Sequence, residues 1–500
     1  MRGIFFLVYA YLIEMYRRSL MVSTKTMFLI YAPKFNGFRR FNSTARTYAE
    51  FLKAKRKIPA YRDFLKRHGF EKMTYRGLMP KLETIPVMDK ENYVKWYPLE
   101  ERCIYGKIPH KDVVIDESSG SSGTPTNWVR GKVERKRNAK FIQFGMRNLL
   151  GKDPMFIINA FALGPWATGM NISMSCVKFS MLKSLGPDEN KIINTLLQFG
   201  THHHYVIMGY PPFLKLLVDK APIDWQNYRV TFIFGGESMS EGMRVYLLKK
   251  GIRNIYSSFG ASDLELNISA ENDFTISIRR LIWENKEFRE RICRFTGAVP
   301  MLFQYNPSDF LIETSAEGEL IISITRPHYI APKIRYNIHD RGHIVHLEEV
   351  YAVMAELGIS EDAIQKPKTD LPLLFHYGRA DLTVSFFGSN ISPTDIQETI
   401  FSKPDFSEVI HSFQIKMNES KDGDKHLCIC LEKKVGVNDL PLNVQEFTGA
   451  FFDQLATINQ DFKEAKRMIS NPSQLSIELF SFGTGPFETR DMRIKADYFN

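Results

Sequence analysis

The chain has 500 residues, which at about 150 residues per domain corresponds to about three folding units and excludes a single small module. A composition of 44% apolar and 24% charged residues excludes an intrinsically disordered chain. The net charge of +10 favours anionic partners, and five scattered cysteines fit neither a disulfide framework nor paired zinc ligands, so we expect a cytoplasmic protein in a reducing compartment.

The first apolar stretch, residues 3–13, follows Arg2 in the manner of a signal peptide. Glu14, Arg17 and Arg18 then interrupt the stretch, and no small-residue cleavage site follows it. It is also shorter than the roughly 20 apolar residues that a membrane span needs, and no later segment reaches that length. We interpret residues 1–40 as an N-terminal extension, for which Met21 offers an alternative start, and keep peripheral membrane contact by residues 3–13 as the alternative.

The predicted elements change in character along the chain. Helical spacing predicts a helical pair over residues 44–70 with a break at Pro59. A strand at 113–115, a Ser/Gly turn at 118–123 and a helix at 132–149 follow. The next predicted elements alternate as in a mostly parallel α/β sheet; the strands are 155–159, 205–208, 230–234 and 252–256, and the helices are 187–199, 211–220 and 240–250.

Short apolar runs between turns predict a smaller β-rich part over residues 293–357. The composition shifts again near Pro372, and residues 381–500 predict a compact α+β domain with strands near 409–417 and 426–433. The predicted fold class is therefore α/β, with a large N-terminal domain of mostly parallel sheets plus a smaller β-rich part, followed by an α+β C-terminal domain.

Residues 116–126 read Asp-Glu-Ser-Ser-Gly-Ser-Ser-Gly-Thr-Pro-Thr, in which six residues carry hydroxyls and two are glycines. Glycine lets backbone amides approach an anion, and hydroxyls add donors, so this composition suits contact with phosphate. The spacing excludes a Walker loop, because only two residues separate Gly120 from Gly123, and the hydrolase pattern G-x-S-x-G is absent. The alternative is an ordinary flexible linker.

This loop resembles the phosphate loop of adenylate-forming (ANL) enzymes, and its terminal Thr126 resembles the phenylacetate:coenzyme A ligase branch. Four further segments resemble that branch in the same order along the chain. They are Gly235-Gly-Glu237 before Arg244, Phe259-Gly-Ala-Ser-Asp263, Arg335-Tyr-Asn-Ile-His-Asp340, and Tyr377-Gly-Arg-Ala-Asp381 with residues 387–398.

The resemblance implies a large AMP-binding domain over residues 41–377, a hinge at 378–381 centred on Asp381, and a mobile small domain over 382–500. It also implies that ATP is bound between the two domains by a set of loop, turn and strand residues. This set is Ser118, Ser119, Gly120, Ser121, Ser122, Gly123, Thr124, Thr126, Gly235, Gly236, Glu237, Phe259, Gly260, Ser262, Asp340 and Arg379.

Individual roles follow from the same resemblance. Asp263 stands where the family has its magnesium-binding glutamate, Asp340 would hold the ribose hydroxyls, and Arg379 would reach the ribose or phosphates. Phe259 would stack on adenine. A carboxylate substrate is already anionic at neutral pH, so the chemistry needs positioning and charge neutralisation rather than a general base.

Two departures from the family pattern affect these roles. Asp263 is one methylene shorter than glutamate, so the metal could be held through water, or Glu265 could contribute instead. The catalytic lysine of the family normally follows a glycine, whereas here Lys495 in Arg-Ile-Lys-Ala is the best candidate. Its setting, with residues 455–462, resembles the acyl-acid amido synthetases, which pass the acyl group to an amine.

Other patterns have mainly structural interpretations. The run His202 to His204 lacks acidic or cysteine partners nearby in sequence, and Cys428 and Cys430 share one strand face as expected of buried free thiols. The basic run Arg130, Lys132, Arg135, Lys136, Arg137 and Lys140 is typical of a solvated helix face, with attraction of nucleic acid or of the coenzyme A phosphates as the alternative. Trp166 aligns with a substrate-pocket segment of the family, and a core aromatic is the equal alternative.

The sequence therefore predicts an AMP-forming ligase that uses ATP, Mg²⁺ and coenzyme A. It would convert a small carboxylic acid, aryl or acyl, to acyl-AMP and then to a coenzyme A thioester. Transfer to an amine or to a carrier-protein thiol is the alternative among enzymes. An inactive nucleotide-binding or nucleic-acid-binding protein is the alternative from another class, although we expect no nucleic-acid partner.

Overall fold

The structure is a computed structural model. It describes residues 2–31, 36–117, 126–295, 299–379, 384–386, 389–419, 425–437, 440–459, 462, 463, 465, 466, 469, 472–488 and 498.

The helices of this part of the chain are α1 Arg2–Leu20, α2 Thr24–Met27, α3 Asn36–Lys57, α4 Pro59–Arg67, α5 Lys132–Leu150, α6 Ala167–Cys176, α7 Glu189–Phe199, α8 Pro211–Lys220, α9 Glu241–Lys249, α10 Asp273–Glu284, α11 Lys286–Ile292, α12 Leu347–Glu356, α13 Pro393–Phe401, α14 Pro404–Ser407 and α15 Val444–Ile458. The strands are β1 Tyr75–Arg76, β2 Met79–Pro80, β3 Val113–Glu117, β4 Asn127–Gly131, β5 Met155–Asn159, β6 Met181–Ser184, β7 His204–Gly209, β8 Arg229–Phe234, β9 Asn254–Phe259, β10 Ser269–Ala270, β11 Met301–Tyr305, β12 Phe310–Thr314, β13 Glu319–Ile324, β14 Tyr336–Val345, β15 Leu373–Arg379, β16 Val384–Phe386, β17 Ser389–Ile391, β18 Ile410–Glu419, β19 Lys425–Lys433 and β20 Leu475–Phe480.

A large sheet of eleven strands in the described residues runs in the order β12-β13-β14-β15-β11-β10-β9-β8-β7-β5-β6. Its second half, β9-β8-β7-β5-β6, is parallel throughout. Strands β5 and β7 are buried along their whole length, as expected of parallel strands covered on both faces. The sequence-based prediction of an α/β fold with a smaller β-rich part is therefore confirmed.

The other half of the sheet, from β10 to β12, is antiparallel and corresponds to the β-rich part. It joins the parallel half through β10, a two-residue strand that pairs with both β9 and β11. The junction brings the carboxyl end of β9 beside β14 and β15. Of the motif residues predicted from sequence, Phe259, Asp340 and Arg379 therefore lie near the place where the sheet changes direction.

The C-terminal region has a hydrophobic core of its own. Strands β18, β19 and β20 form a separate sheet, and its apolar side chains pack with α13 and α15 around Phe447, Phe451 and Leu455. Proline begins both α13 and α14, a position where the missing backbone N–H costs nothing. The mobility predicted for this region stays a prediction.

Helix α1 packs along α3 through buried charges as well as apolar contacts. Glu14 lies in ion pairs with Arg46, at 3.0 Å, and with Arg137 of α5. Arg17 pairs with Asp309 at 2.7 Å. In the described residues, no helix is both long enough and apolar enough to cross a membrane.

The Ser/Gly loop joins two strands rather than a strand and a helix. Strands β3 and β4 are antiparallel, with Glu117 paired to Asn127, and α5 starts directly after β4. The sequence analysis placed a strand, a loop and a helix here, and it missed β4 because Asn127 to Gly131 contains only two strongly apolar residues. The Ser/Gly loop is thus the connection between the two strands of a hairpin.

Candidate active site

Several predicted site residues fall outside the described part of the chain. They are Ser118, Ser119, Gly120, Ser121, Ser122, Gly123, Thr124, Asp381 and Lys495. Thr126, which ends the loop segment, is described and partly buried just before β4.

The stem of the β3–β4 hairpin is tied to the predicted metal segment by one buried arginine. Arg130 donates from Nε to Asp116 at 2.6 Å, from one terminal nitrogen to the Ser262 carbonyl at 2.6 Å, and from the other to the Leu264 carbonyl at 3.1 Å. A guanidinium can make such divergent contacts because its donors are rigidly forked. Arg130 therefore fixes the ends of the Ser/Gly loop next to Ser262 and Asp263.

The turn after β8 has a conformation that requires glycine. Gly236 has φ +82°, which disfavours other residues, and a Cβ on Gly235 would lie 2.8 Å from the Ser258 carbonyl oxygen of the neighbouring strand β9. Gly260, at the end of β9, is similarly confined, since a Cβ there would meet the backbone of Leu266 at 2.5 Å. These glycines allow the backbone to pass close to its neighbours at the carboxyl edge of the parallel strands, where ligands bind in α/β sheets.

A chain of contacts joins Phe259 to Arg379 across the sheet junction. The rings of Phe259 and His376 lie 4.5 Å apart between centroids. His376 Nε2 lies 2.8 Å from an oxygen of Asp340, and Asp340 is paired with Arg379 across β14 and β15. The aromatic, acidic and basic residues predicted to contact the nucleoside therefore lie side by side.

Asp263 is held by Tyr336, whose hydroxyl donates to Oδ2 at 2.8 Å. The other oxygen, Oδ1, is contacted by the Ser262 hydroxyl at 3.4 Å. Glu265 is differently placed: it is buried, accepts a hydrogen bond from Tyr329 and faces Arg326 at 3.8 Å. Of the two carboxylates considered for the metal, only Asp263 is partly accessible.

Two buried cations flank Trp128 close to this carboxylate. The Lys333 ammonium lies 4.3 Å from the centroid of the indole ring, and the Arg102 guanidinium lies 5.6 Å from it. Burial lowers the pKa of Lys333 to about 7, and repulsion by Arg102 acts in the same direction while Asp263 opposes it. Within the described ranges, neither basic group has a carboxylate at ion-pair distance, so an anion bound beside them would favour the charged form of Lys333.

Glu237, the third residue of the predicted adenine segment, contacts the other end of the chain. The hydroxyl of Tyr498 donates to Glu237 Oε2 at 3.1 Å, and the Tyr498 carbonyl accepts from the backbone of Ile415 in β18 at 2.7 Å. Tyr498 is therefore attached to both the small sheet and the site.

Trp166 caps the start of α6 and is partly buried. It forms an isolated parallel bridge with Glu117, the last residue of β3, and the Glu117 amide donates to the Pro165 carbonyl at 2.9 Å. The backbone of Trp166 is thus paired with the residue that precedes the Ser/Gly loop. Its role as a pocket residue stays a prediction.

The site is bounded on one side by a contact between α9 and α13. The amides of Ser240 and Glu241, at the start of α9, donate to Gln397 at 3.2 Å and to Glu398 at 2.8 Å. Burial raises the pKa of Glu398 to about 7, because Arg279 offsets only part of the desolvation and Glu241 adds repulsion. The C-terminal region therefore supplies the cap of a helix in the large sheet domain.

Sequence reasoning missed Arg130, His376 and Glu398. Arg130 was grouped with a solvated basic face, and this was wrong for Arg130 and Arg137, which are both buried in ion pairs. Position gave a usable signal for His376, which directly precedes the Tyr377-Gly-Arg segment. Glu398 lies in the resembling segment, but its partner in α9 is 157 residues away.

The other patterns keep their structural interpretation. His204 is buried with Nε2 3.1 Å from the Thr231 hydroxyl, and His203 packs edge-on against Phe156. All five cysteines are buried and free. Among the described residues, the one group with metal-binding geometry is Cys428, Cys430 and Glu478, and none of the three histidines belongs to it.

No protein-family model matches the sequence, and no curated protein matches it either. Solved structures do match. A 2-hydroxyisobutyryl-CoA ligase in the postadenylation state superposes with a TM-score of 0.67 at 13% identity, over 94% of this chain and 90% of that one.

The same ligase in other states matches less well. Its open conformation gives a TM-score of 0.52 at 13% identity, over 92% of this chain and 90% of that chain. Its thioesterification state also gives 0.52 at 13% identity, over 94% and 91%. The chain therefore has the fold of this adenylate-forming ligase.

Proposed function

We propose that this protein activates a carboxylic acid with ATP, forming acyl-AMP and pyrophosphate, and then transfers the acyl group to the thiol of coenzyme A. The observation that carries the proposal is the convergence of segments that are far apart in sequence. Gly235 abuts Ser258, Phe259 touches His376, His376 touches Asp340, and Arg130 joins Ser262 to the Ser/Gly hairpin.

The geometry suits a nucleotide. Phe259 offers a ring at the sheet edge, and Asp340 offers a carboxylate that can accept from two ribose hydroxyls while His376 orients it. The buried charges of Arg102 and Lys333 suit polyphosphate, because an anion would compensate two cations that have no carboxylate at ion-pair distance in the described chain. Catalysis of phosphoryl-centre chemistry rests on this kind of positioning and charge compensation.

Asp263 would hold Mg²⁺. This ion is typically bound by one or two carboxylates together with substrate phosphates and water, and one partly accessible carboxylate with a weakly bonded Oδ1 fits that donor set. When bound, the ion would neutralise charge on the phosphate oxygens. Tyr336 would keep the Asp263 side chain in place through its hydrogen bond to Oδ2.

Lys495 remains our candidate for the catalytic lysine. Lys495 precedes Tyr498 by three positions, a span of at most about 11 Å, and Tyr498 contacts Glu237 in the adenine segment. The higher TM-score with the postadenylation state than with the open or thioesterification states supports an arrangement that serves the first half-reaction. The second half-reaction would then need the small domain to rotate about Asp381.

The acid and the acceptor are tested together. Purified protein with Mg²⁺ and ATP should release pyrophosphate with at least one acid of an aliphatic and aryl panel, and hydroxylamine should trap the activated acyl group. Adding coenzyme A should replace the hydroxamate with a thioester. If an amine or a carrier protein consumes the adenylate and coenzyme A does not, the proposed acceptor is wrong, whereas the proposed adenylation of the acid is retained.

The variant that tests the site is Asp340→Ala, matched with Asp362→Ala at an exposed position outside the candidate site. Loss of the ribose contacts should raise the KM for ATP and lower pyrophosphate release by about 10²-fold or more, whereas Asp362→Ala should leave both unchanged. No release with any acid by the native chain, combined with salt-sensitive binding to generic DNA, would instead favour the nucleic-acid-binding alternative.

A further inference from the structure

One surface of α1 is apolar and faces outward. Ile4, Val8, Tyr11 and Met15 recur at helical spacing, and Tyr11 and Ile4 are 66% and 65% exposed. We call this surface, with the turn that continues it, the apolar face. Its members are Ile4, Phe5, Leu7, Val8, Tyr11, Leu12, Met15, Tyr16, Val22, Phe28 and Leu29.

The opposite side of α1 faces the protein interior and includes charged residues. Glu14 and Arg17 are buried in ion pairs there, while Phe6 and Ala10 pack against the rest of the chain. A surface helix normally turns its polar residues to water and its apolar stripe to the core. Helix α1 is attached by its charged side and presents an apolar surface that no other described part of the chain covers. An exposed apolar surface of this kind marks an interaction site.

The charge around this surface identifies the kind of partner. Residues 1–57 contain twelve basic and two acidic residues, whereas the other 443 residues contain 54 of each, so this segment carries the entire net charge of +10. The two acidic residues, Glu14 and Glu50, are both buried. Exposed charges of α1 to α3 are therefore positive, as on Arg18 and Lys25. The adjoining helix α5 contributes Lys136, and its sole acidic residue, Glu134, is buried.

We propose that the apolar face binds the surface of an anionic lipid bilayer, with α1 lying in the plane of the interface. Apolar side chains flanked by tyrosines and surrounded by lysine and arginine match the requirements of an interfacial helix, which inserts about 5–10 Å below the headgroups. A second copy of this chain fits less well, because pairing two such faces would bring two segments of charge +10 together.

Vesicle flotation of the full chain tests this directly. At about 0.1 M salt, vesicles of phosphatidylcholine with about 30% phosphatidylserine should carry the protein upward, and phosphatidylcholine vesicles should carry much less. The face variant combines Val8→Gln, Leu12→Gln and Met15→Gln and should not float. The control combines Leu197→Gln, Val435→Gln and Val444→Gln, equally exposed elsewhere, and should float like the native chain.

The charge is tested separately through Lys25→Gln, which should weaken partition to the anionic vesicles by about fivefold, the effect of about one surface lysine. Both variants should keep native adenylation activity, since none of their residues belongs to the candidate site. The proposal is overturned if the native chain does not float, or if face and control variants lose flotation equally. It is also overturned if light scattering shows a dimer that the face variant converts to a monomer without any vesicle binding.

Discussion

The buried cluster that anchors α1 contains four arginines and three carboxylates, whereas the buried cluster at the contact between α9 and α13 contains two arginines and three carboxylates. We call them the anchor cluster and the interdomain cluster. The anchor cluster is Glu14, Arg17, Arg46, Arg137, Glu265, Asp309 and Arg326. The interdomain cluster is Glu241, Arg244, Glu271, Arg279 and Glu398.

The sign of the excess charge decides how each cluster responds to protons. Burial alone would raise the pKa of Glu14 and Asp309, but the surrounding arginines bring both below their usual values. In the interdomain cluster, Arg244 and Arg279 suffice to lower the pKa of Glu241, and the third carboxyl, Glu398, has its pKa raised to about 7 by burial. In the anchor cluster, Glu14 and Asp309 therefore stay charged at neutral pH. In the interdomain cluster, Glu398 can become neutral, and it lies on the part of the molecule that is proposed to move.

The largest expected effect comes from breaking the anchor cluster. Asp309→Asn removes the carboxylate between Arg17 and Arg326 and leaves two buried guanidinium groups without it. Loss of one partner of a buried ion pair typically costs about 3–5 kcal/mol in the free energy of unfolding. Denaturant unfolding followed by tryptophan fluorescence measures this cost.

The matched control is Glu91→Gln, which removes an exposed ion pair with Lys95 and should cost less than about 1 kcal/mol. Equal effects of the two substitutions would contradict a structural role for the anchor cluster. The position of α1, and with it the apolar face, would then need another explanation.

The second prediction concerns Glu398 and pH. Its pKa is about 7 in the folded chain, whereas the ordinary pKa of a glutamate, which applies to the unfolded chain, is 4.5, so the folded form binds more protons between these values. The free energy that stabilises the contact between α9 and α13 should therefore fall by at most about 3 kcal/mol as pH rises from 4.5 through 7. Above pH 7 it should stay at this lower value. Glu398→Gln keeps an acceptor for the Glu241 amide and should remove this dependence.

Hydrogen exchange of the α9 amides at pH 6 and pH 8 measures the contact. The native chain should show faster exchange at pH 8 than the intrinsic rate change explains, and Glu398→Gln should show no excess. A substitution that leaves the excess in place would assign the titration to another group, of which Glu271, with a raised pKa from burial, is the nearest alternative.

The sequence predicts the parallel sheet and the motif order because both depend on local patterns. Strand β8 and Gly235 can be recognised from an apolar run followed by two glycines, and Asp340 from its place in a short segment. One partner of Glu14, by contrast, is Arg137, at a separation of 123 residues, and nothing in the basic run around Arg137 distinguishes the buried residue from its solvated neighbours. Charges that end up buried against each other are decided by packing, which a single sequence does not show.

The third prediction tests whether the C-terminal region, which carries Glu398, moves relative to the rest of the chain. Asp381→Pro restricts the proposed hinge and the residue before it, so one arrangement of the small domain should be retained. Pyrophosphate release should persist, while acyl transfer should fall by about tenfold or more. Single-turnover measurement of each half-reaction, together with a melting curve, distinguishes this outcome from simple destabilisation, in which both steps slow equally and the melting temperature falls.

The smallest expected effect lies at the rim of the contact between α9 and the C-terminal region. Lys250 reaches Glu408 at 3.4 Å, but the two side chains are 41% and 54% exposed, so water and salt screen the pair. Lys250→Met should change the opening free energy of the α9 amides, measured by hydrogen exchange, by less than about 0.5 kcal/mol. Both half-reactions should be unaffected. Because Glu398 is buried in the same contact, a clear effect of Lys250→Met at low salt would show that long-range charge, rather than the protonation of one buried carboxyl, controls whether α13 stays against α9.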